Sequence, residues 1–490
     1  MSWVTAAEMR EIEARAFATG IEPADLMDQA AAGIARLLLD HFPSPGSATA
    51  YIGKGNNGGD AVAVLEILRS HGWRIALRTS HPLTDCSVLT RQRIRRCGIE
   101  PGSAITTGPG PRLLLDGLLG IGSRGGLREP LLGLAAEMEH LRRNFGAIVA
   151  AIDLPSGLDP DHGEPGSGCV TADLTLTIGV PKAGLFFDSA AAHCGRLLLV
   201  KLEALAASVE RQPTLASPEN FPGLLPPRPH DFHKGQAGRV AILAGSPGFS
   251  GAAELCAAGA LRGGAGLVTL WLDPDNPARP RSEIMTRRLG ARIEAAFEIQ
   301  ADARVIGPGL GTLTPPQLLA LQHGLANDAT PTVLDADALN AIAGERLQHL
   351  LRPHHLLTPH PGEFARLAPD LVLLPRIEAV RHFIRRHPCT LLLKGSRTLV
   401  GSATGEITIN PSGHAGMASG GQGDVLAGVA GALLAGGQTP FHAAMLAAWL
   451  CGRAAERALT HAGASEASLS AGDTLDHLGG AFVDWKERRR

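Results

Sequence analysis

The distribution of apolar positions changes character along the chain, and each change predicts an element. TAAEMREIEARAFATG reads as a capped helix: Thr5 can accept a free first-turn amide, Glu8 stands three residues on, and Gly20 ends it. A second helix is predicted from about Glu22 to Phe42, where Leu26, Ala30, Ile34, Leu37 and Leu38 fall near helical spacing. Short apolar runs follow, ATAYIG, RIALRT, AIVAAID and LTLTIG, alternating with helical stretches such as DAVAVLEILRSHG, whose helix is expected to start near Asp60. The second half repeats the style with RVAILAG, GLVTLWL, ARVIG, PTVLDAD, HHLLTPH and CTLLLKG as strands, and an apolar helix in GQGDVLAGVAGALLAGG. Strand runs alternating with helices belong to the α/β class. Both halves therefore read as three-layer α/β domains, and no motif repeats between them.

The segment between the halves is different. RQPTLASPENFPGLLPPRPHDFH carries six prolines, which suit neither a helix interior nor a central strand. The expected division is a first domain over 1–212, a proline-rich linker over 213–230 and a second domain over 231–490. A length of 490 residues fits that division better than one core. The 60 glycines, without a G-x-y period, mean tight turns and close backbone approaches. A formal charge of -2 gives no global electrostatic case for nucleic acid. Seven cysteines, none in a C-x-x-C pair, argue against a disulfide framework or structural zinc and for a reducing compartment. With no apolar leader and no long uncharged apolar run, a cytoplasmic protein without a membrane span is expected. A homo-oligomer is expected as well.

The first half holds three clusters. GKGNNGGDA follows the run ending at Ile52, and its glycines and asparagines suit a bare backbone concavity at a helix N-terminus, a seat for phosphate. The bland alternative is a tight turn capped by Asp60. LLLDGLLGIGSRGGL delivers Asp116 on a strand and then a loop through Gly120, Gly122, Gly125 and Gly126. AIDLPSGLDPDHG ends a strand at Asp153 and places Ser156 in the next turn, with Asp159 and Asp161 as ordinary turn residues. Carboxylates at the ends of neighbouring strands line the ligand crevice of such folds. Asp116 and Asp153 could share one site, either as acid–base groups or holding a cation with Asn57 and Ser156 oxygens. Lys182 suits a phosphate, or is a surface lysine.

In the second half, glycine turns follow RVAILAG and ARVIG, DADALN brings acids to a strand end, and TPHPGEFARL holds His360 and Glu363. His360 is as much a cap or packing residue as a ligand contact. The sharpest signal is SGHAGMASGGQGDVLAG, where Gly420, Gly421 and Gly423 precede an apolar helix and can wrap an anion with main-chain amides. Asp424 beside that anion suits deprotonation of a hydroxyl, or is a plain N-cap. No P-loop, H-E-x-x-H or G-x-S-x-G motif is present.

At these residues the chain resembles the bifunctional NAD(P)HX repair enzymes. GNNGGD, DGLLGIG, DLPSGLD and TADLTLTIGVPKAGL are similar to the Rossmann-like epimerase domain, and GPGLG, DADALN, TPHPGEFARL, LLLKG and GGQGD to the ribokinase-like dehydratase domain. The resemblance implies epimerisation of R and S forms of NADHX and NADPHX, then ADP-dependent dehydration of the S form to NADH or NADPH, giving AMP and phosphate. It implies that Asn56, Asn57, Gly58, Gly59 and Asp60 touch the hydrate, as do Gly120, Ile121, Gly122, Ser123, Arg124, Gly125, Gly126 and Asp153. Asn57, Asp116 and Ser156 would bind K+. In the second domain Ala252, Gly309, His360 and Asp424 would meet the S-hydrate. Lys394, Gly395, Ser396, Arg397, Thr398, Gly420, Gly421 and Gly423 would meet the adenine nucleotide, which carries Mg2+. Asp153 and Asp424 are the catalytic candidates.

Two departures matter. Ala61 stands where a glycine is usual and could narrow the pocket mouth, and Gln422 replaces a usual Thr or Ser, which would remove a hydroxyl contact to phosphate. Two rival readings are a small-molecule kinase, which would release a stable phosphorylated product, and a first domain that only senses dinucleotides.

Overall fold

The computed structural model describes residues 3–102, 104–105, 107–122, 124–205, 212–289, 295–461 and 463–487. The chain forms two compact units, Met1–Gln212 and Pro213–Arg489. Among the described residues all seven cysteines are free, and no helix is long and apolar enough to cross a membrane.

The first unit contains strands β1 (Ser47–Ile52), β2 (Arg74–Thr79), β3 (Arg112–Gly117), β4 (Ile148–Ile152), β5 (Leu174–Ile178) and β6 (Arg196–Val200). They pair in the order β2-β1-β3-β4-β5-β6, all parallel. Helices α1 (Ala6–Ala18), α2 (Pro23–His41), α3 (Asn56–Ser70), α4 (Val88–Cys97), α5 (Leu131–Phe145) and α6 (Asp188–Cys194) complete it. Thr5 and Glu8 form the expected capping box of α1. The inner strands β1, β3, β4 and β5 are buried on both faces because both are covered, whereas the edge strand β2 is largely half-exposed. Leu113 and Leu115 join the core with α2 and α3, whereas Leu114 joins the core with α5.

Because β2 and β3 flank β1, the chain reverses its winding there, and the crevice between β1 and β3 opens at their C-terminal ends. Its walls are close. A methyl group at Gly53 would lie 1.9 Å from the Leu118 carbonyl oxygen. Gly53→Ala must displace main chain, so a loss of about 3 kcal/mol, the upper end of ordinary overpacking, is expected in the denaturant midpoint of the first unit.

The second unit contains β7 (Thr214–Leu215), β8 (Arg239–Leu243), β9 (Leu267–Leu272), β10 (Met285–Arg288), β11 (Ala303–Ile306), β12 (Thr332–Leu334), β13 (His355–Leu357), β14 (Thr390–Leu393), β15 (Leu399–Gly401) and β16 (Ile407–Ile409). The order is β10-β9-β8-β11-β12-β13-β14-β15-β16-β7, parallel from β10 to β14, with β15 antiparallel to both neighbours. Its helices are α7 (Ser250–Arg262), α8 (Ala295–Glu298), α9 (Pro315–Asn327), α10 (Ala336–Gly344), α11 (Pro361–Leu367), α12 (Arg376–Arg386), α13 (Gln422–Ala435), α14 (Pro440–His461) and α15 (Ala471–Lys486). The segment expected as a linker starts with β7, which pairs with β16, so its first residues are part of this sheet.

Glycine and alanine let the helices over this sheet approach backbone to backbone. A methyl at Gly428 of α13 would lie 2.0 Å from Cys256 O of α7, and one at Gly259 of α7 would lie 2.6 Å from Val425 O of α13. That contact fixes the start of α13, where the strongest anion-binding pattern of the sequence lies.

Candidate functional site

In the first unit α3 begins at Asn56, not near Asp60, with Gly55 as its N-cap. Asn56 to Asp60 are therefore its first turn. Gly58 and Gly59 serve close packing rather than a left-handed turn: a methyl on Gly58 would lie 3.0 Å from the Ile52 Cβ, and one on Gly59 2.7 Å from the Met27 Cε. Ala61 is fully buried, and a methyl on Gly117 would lie 2.8 Å from its Cβ. The Ala61 methyl packs against β3, so it does not narrow the pocket mouth.

Asn57, Asp116 and Ser156 converge at the end of β3. The Asn57 amide donates to Leu119 O at 2.8 Å. The Ser156 hydroxyl lies 2.6 Å from Asp116 Oδ1 and 3.3 Å from Leu119 O, and it accepts from Leu119 N at 2.8 Å. Burial pushes the Asp116 carboxyl up to about 6, opposed by hydrogen bonds from Ser156 and Leu118. The donors gathered here are all oxygens, which suits a hard cation.

Asp153 stands at the end of β4 with φ 68, an uncommon backbone for a residue with a side chain. Its Oδ1 accepts from the Lys182 ammonium and, at 2.9 Å, from Ile178 N. Lys182 is 1% exposed and also donates to Ile178 O at 2.8 Å, so it is neither a surface lysine nor a phosphate contact. Asp60 and Glu13 complete an acidic group around this pair. Burial holds the Asp60 carboxyl well above its ordinary range, with Asp153 and then Glu13 adding repulsion. Burial also raises Glu13, against Lys182 and with Asp153. Helix α1 belongs to this site, since Arg10 donates to Ile121 O at 3.1 Å. Glu13 was missed in sequence because nothing near it marks it as other than a helix surface residue.

The loop after Leu119 carries Gly120, Ile121, Gly122, Arg124 and Gly125 along the crevice, Gly122, Arg124 and Gly125 exposed, and Gly126 then packs against Ser167. Ser123 lies outside the described residues. Asp159 makes the expected turn contact, accepting from His162 N, whereas Asp161 accepts from Ala6 N at 2.6 Å, at the start of α1, and so is more than the turn residue expected.

In the second unit β8, β11, β12, β13 and β14 all end on one edge, and each delivers part of a site. After β8 and β11, Gly309 (φ 62) lies against α7, where a methyl would come 2.9 Å from the Ala252 Cβ. After β13, His360 caps α11: its Nδ1 accepts from Gly362 N at 3.0 Å and Glu363 N at 3.3 Å. Its Nε2 lies 3.5 Å from Glu363 Oε1, and the side chain as a whole is 53% exposed. The turn Lys394 to Thr398 joins β14 to β15, held by Arg376, which donates to Leu393 O, Lys394 O and Arg397 O at 3.2 Å each. Gly395 and Ser396 are exposed there and Thr398 half-buried, whereas the Arg397 side chain is buried.

Helix α13 starts at Gln422 with Gly421 (φ 90) as its N-cap. Asp424 is thus the third residue of the helix and no N-cap. Gly420 is open, with no atom within 4 Å of a methyl placed on it. Gln422 accepts from the buried Thr474 hydroxyl at 3.0 Å, so its amide is tied to α15. Lys394 reaches the same helix start: its ammonium would lie 3.1 Å from a methyl on Gly423, and it donates to Asp335 Oδ1 at 2.8 Å. Burial pushes the Asp424 carboxyl up to about 7, with Asp335 and Asp337 raising it and Lys394 lowering it. A helix N-terminus, a cation and a carboxyl poised near neutrality can together seat an anion beside a group able to act as a base.

Comparison with known proteins covers both units. Residues 23–184 match the family described as YjeF-related protein N-terminus, and residues 240–477 match that described as NAD(P)H-hydrate dehydratase. A bifunctional NAD(P)H-hydrate repair enzyme of Coxiella burnetii is 34% identical, covering 96% of this chain and 97% of its own. One of Gloeobacter violaceus is 36% identical over 91% of each. A ribokinase-like superfamily protein of Enterococcus faecalis shares the fold of the second unit, with 24% identity, a TM-score of 0.51, and coverage of 57% of this chain and 99% of its own.

Proposed function

The chain belongs to the family of bifunctional NAD(P)H-hydrate repair enzymes, and we propose that it divides the work between its two units, epimerising the hydrate in the first and dehydrating it in the second. The observation that carries the reading is the start of α13, where Asp424 and the Lys394–Asp335 pair surround a helix N-terminus.

The damaged cofactor carries a hydroxyl on C6, next to the ring nitrogen. The nitrogen lone pair can expel that hydroxide, and water can return to either face. Asp153 is the acid–base group for this exchange, held in place by Lys182. Asp60, raised by burial, is placed beside it as a carboxyl able to hold a proton, and two carboxyls in such different surroundings can divide the roles of acid and base. Asn57, Asp116 and Ser156 would hold K+, whose charge would offset that of the hydrate's pyrophosphate. Asn56 to Asp60 and Gly120 to Gly126 would seat the rest of the dinucleotide.

In the second unit Ala252, Gly309 and His360 would bind the S-hydrate. Lys394, Gly395, Ser396, Arg397 and Thr398 would bind ADP, chiefly through the main chain at Arg397. Gly420, Gly421 and Gly423 would hold the transferring phosphoryl. Among the described residues no group of three or more acidic, His or Cys side chains could cage a metal, so Mg2+ would come on the nucleotide's phosphates. Asp424 takes the proton of the C6 hydroxyl as its oxygen attacks the β-phosphorus of ADP and AMP leaves. The ring nitrogen then expels phosphate, and loss of a C5 proton restores the dihydropyridine.

The test is recovery of the reduced-nicotinamide absorbance from mixed R and S NADHX with K+, Mg2+ and ADP. Complete recovery is expected, because exchange feeds the S form. Recovery that stops at the initial S fraction would refute the epimerase assignment. A stable phosphorylated product without NADH would refute the dehydratase one and leave a kinase.

A further inference from the structure

Asp335 takes no chemical step in the reaction as written, yet the fold holds it tightly. It is 1% exposed at the end of β12. Its backbone is gripped from both sides: its N–H donates to Ile306 O at 3.1 Å, and Gly307 (φ 130) comes so close that a methyl there would lie 1.7 Å from Asp335 O. The next residue, Ala336, has φ 48, a left-handed backbone unfavourable for a residue that carries a side chain. Strain of this kind persists only where the surroundings over-determine it. The outcome is a carboxylate aimed at Lys394, with Nζ to Oδ1 2.8 Å, and a second oxygen that would lie 3.9 Å from a methyl on Gly423.

We propose that Asp335 is a positioning residue of the phosphoryl-transfer site: it fixes the Lys394 ammonium over Gly423, so that an anion arriving at the start of α13 meets a cation already in place. A lysine has a flexible four-carbon stem and holds its charge poorly on its own. Anchored at 2.8 Å by a buried carboxylate, it no longer needs ordering when the phosphoryl group moves. Asp335 also shapes the field at Asp424. The groups facing Asp424 are Asp335 and Asp337 from the β12–α10 corner, Lys394 from the end of β14, and Cys256 from α7. Of these, Asp335 and Asp337 favour its protonated form and Lys394 opposes it. This role rests on the dehydratase reading.

The test compares Asp335→Asn, Lys394→Met and the double variant in ADP-dependent dehydration of S-NADHX, across pH. Asp335→Asn should lower kcat by up to about 10²-fold, the effect of misplacing a group by an ångström, and leave KM for the hydrate nearly unchanged. The acid limb of its rate profile should move to lower pH, and that of Lys394→Met to higher pH. The double variant should be no slower than Lys394→Met, because Asp335 acts through the lysine. Losses that multiply, or acid limbs that stay where the wild type has them, would overturn the proposal. If Asp335→Asn does not fold, Asp335→Glu decides: it keeps the charge but moves the anchor, so a lowered kcat supports the proposal and an unchanged kcat overturns it. A wild type without ADP-dependent turnover would sink the parent reading instead, so the two failures are distinguishable.

Discussion

Asp424→Asn should slow ADP-dependent recovery of NADH by about 10²–10⁴-fold, the usual contribution of a positioned base, with binding of the S-hydrate retained. The geometry gives the reason. Asp424 is the third residue of α13, so it stands beside the anion seat and cannot itself bind an anion there. Burial pushes its carboxyl up to about 7, which places it where a base is both available and strong enough at neutral pH. The wild-type kcat/KM should therefore rise with pH through about 7, and the residual rate of the variant should lack that limb. Stability should move the other way. A carboxyl raised from 3.8 to about 7 favours the folded state below its unfolded value, and that contribution is lost as pH rises through the folded one. Asparagine does not ionise, so the variant should melt higher than the wild type above neutral pH. A variant within a few-fold of wild-type turnover would refute Asp424 as base.

Motif order made the architecture and the place of each candidate site legible, but not the partners of their charged groups. The alternation of apolar runs predicted α/β layering, and GNNGGD and GGQGD marked both helix starts. The start of α3 was misplaced because two asparagines and two glycines are poor helix formers. The close approach of Gly58 to Ile52 and of Gly59 to Met27 overrides that preference. Lys182 sits among Val180, Ala183 and Leu185, all buried, which hinted at burial, but its carboxylate partner lies 29 residues away on another strand end. Lys394 and Asp335 are 59 residues apart. No local pattern encodes such pairs; they exist because parallel strands deliver their ends to one edge. A two-residue strand such as β7 has no periodicity to read at all.

Asp153 shows why partners must be known before a substitution is chosen. Its removal should abolish R/S exchange, a loss of about 10²–10⁴-fold, while dehydration of pure S-hydrate continues in the second unit. Alanine is the wrong probe. At φ 68 asparagine is several-fold better tolerated than most residues, and it also keeps an oxygen for Ile178 N. Even asparagine leaves the 1% exposed Lys182 without its counter-charge, and breaking a buried pair costs about 3–5 kcal/mol. Asp153→Asn alone could therefore lose exchange by unfolding the first unit. Pairing it with Lys182→Met removes the stranded charge. The double variant should recover much of the lost stability in a denaturant titration and none of the exchange. In the mixed-epimer assay both variants should stop at the initial S fraction. Exchange restored in the double variant would mean that Asp153 serves only to neutralise Lys182, and the acid–base role would pass to Asp60.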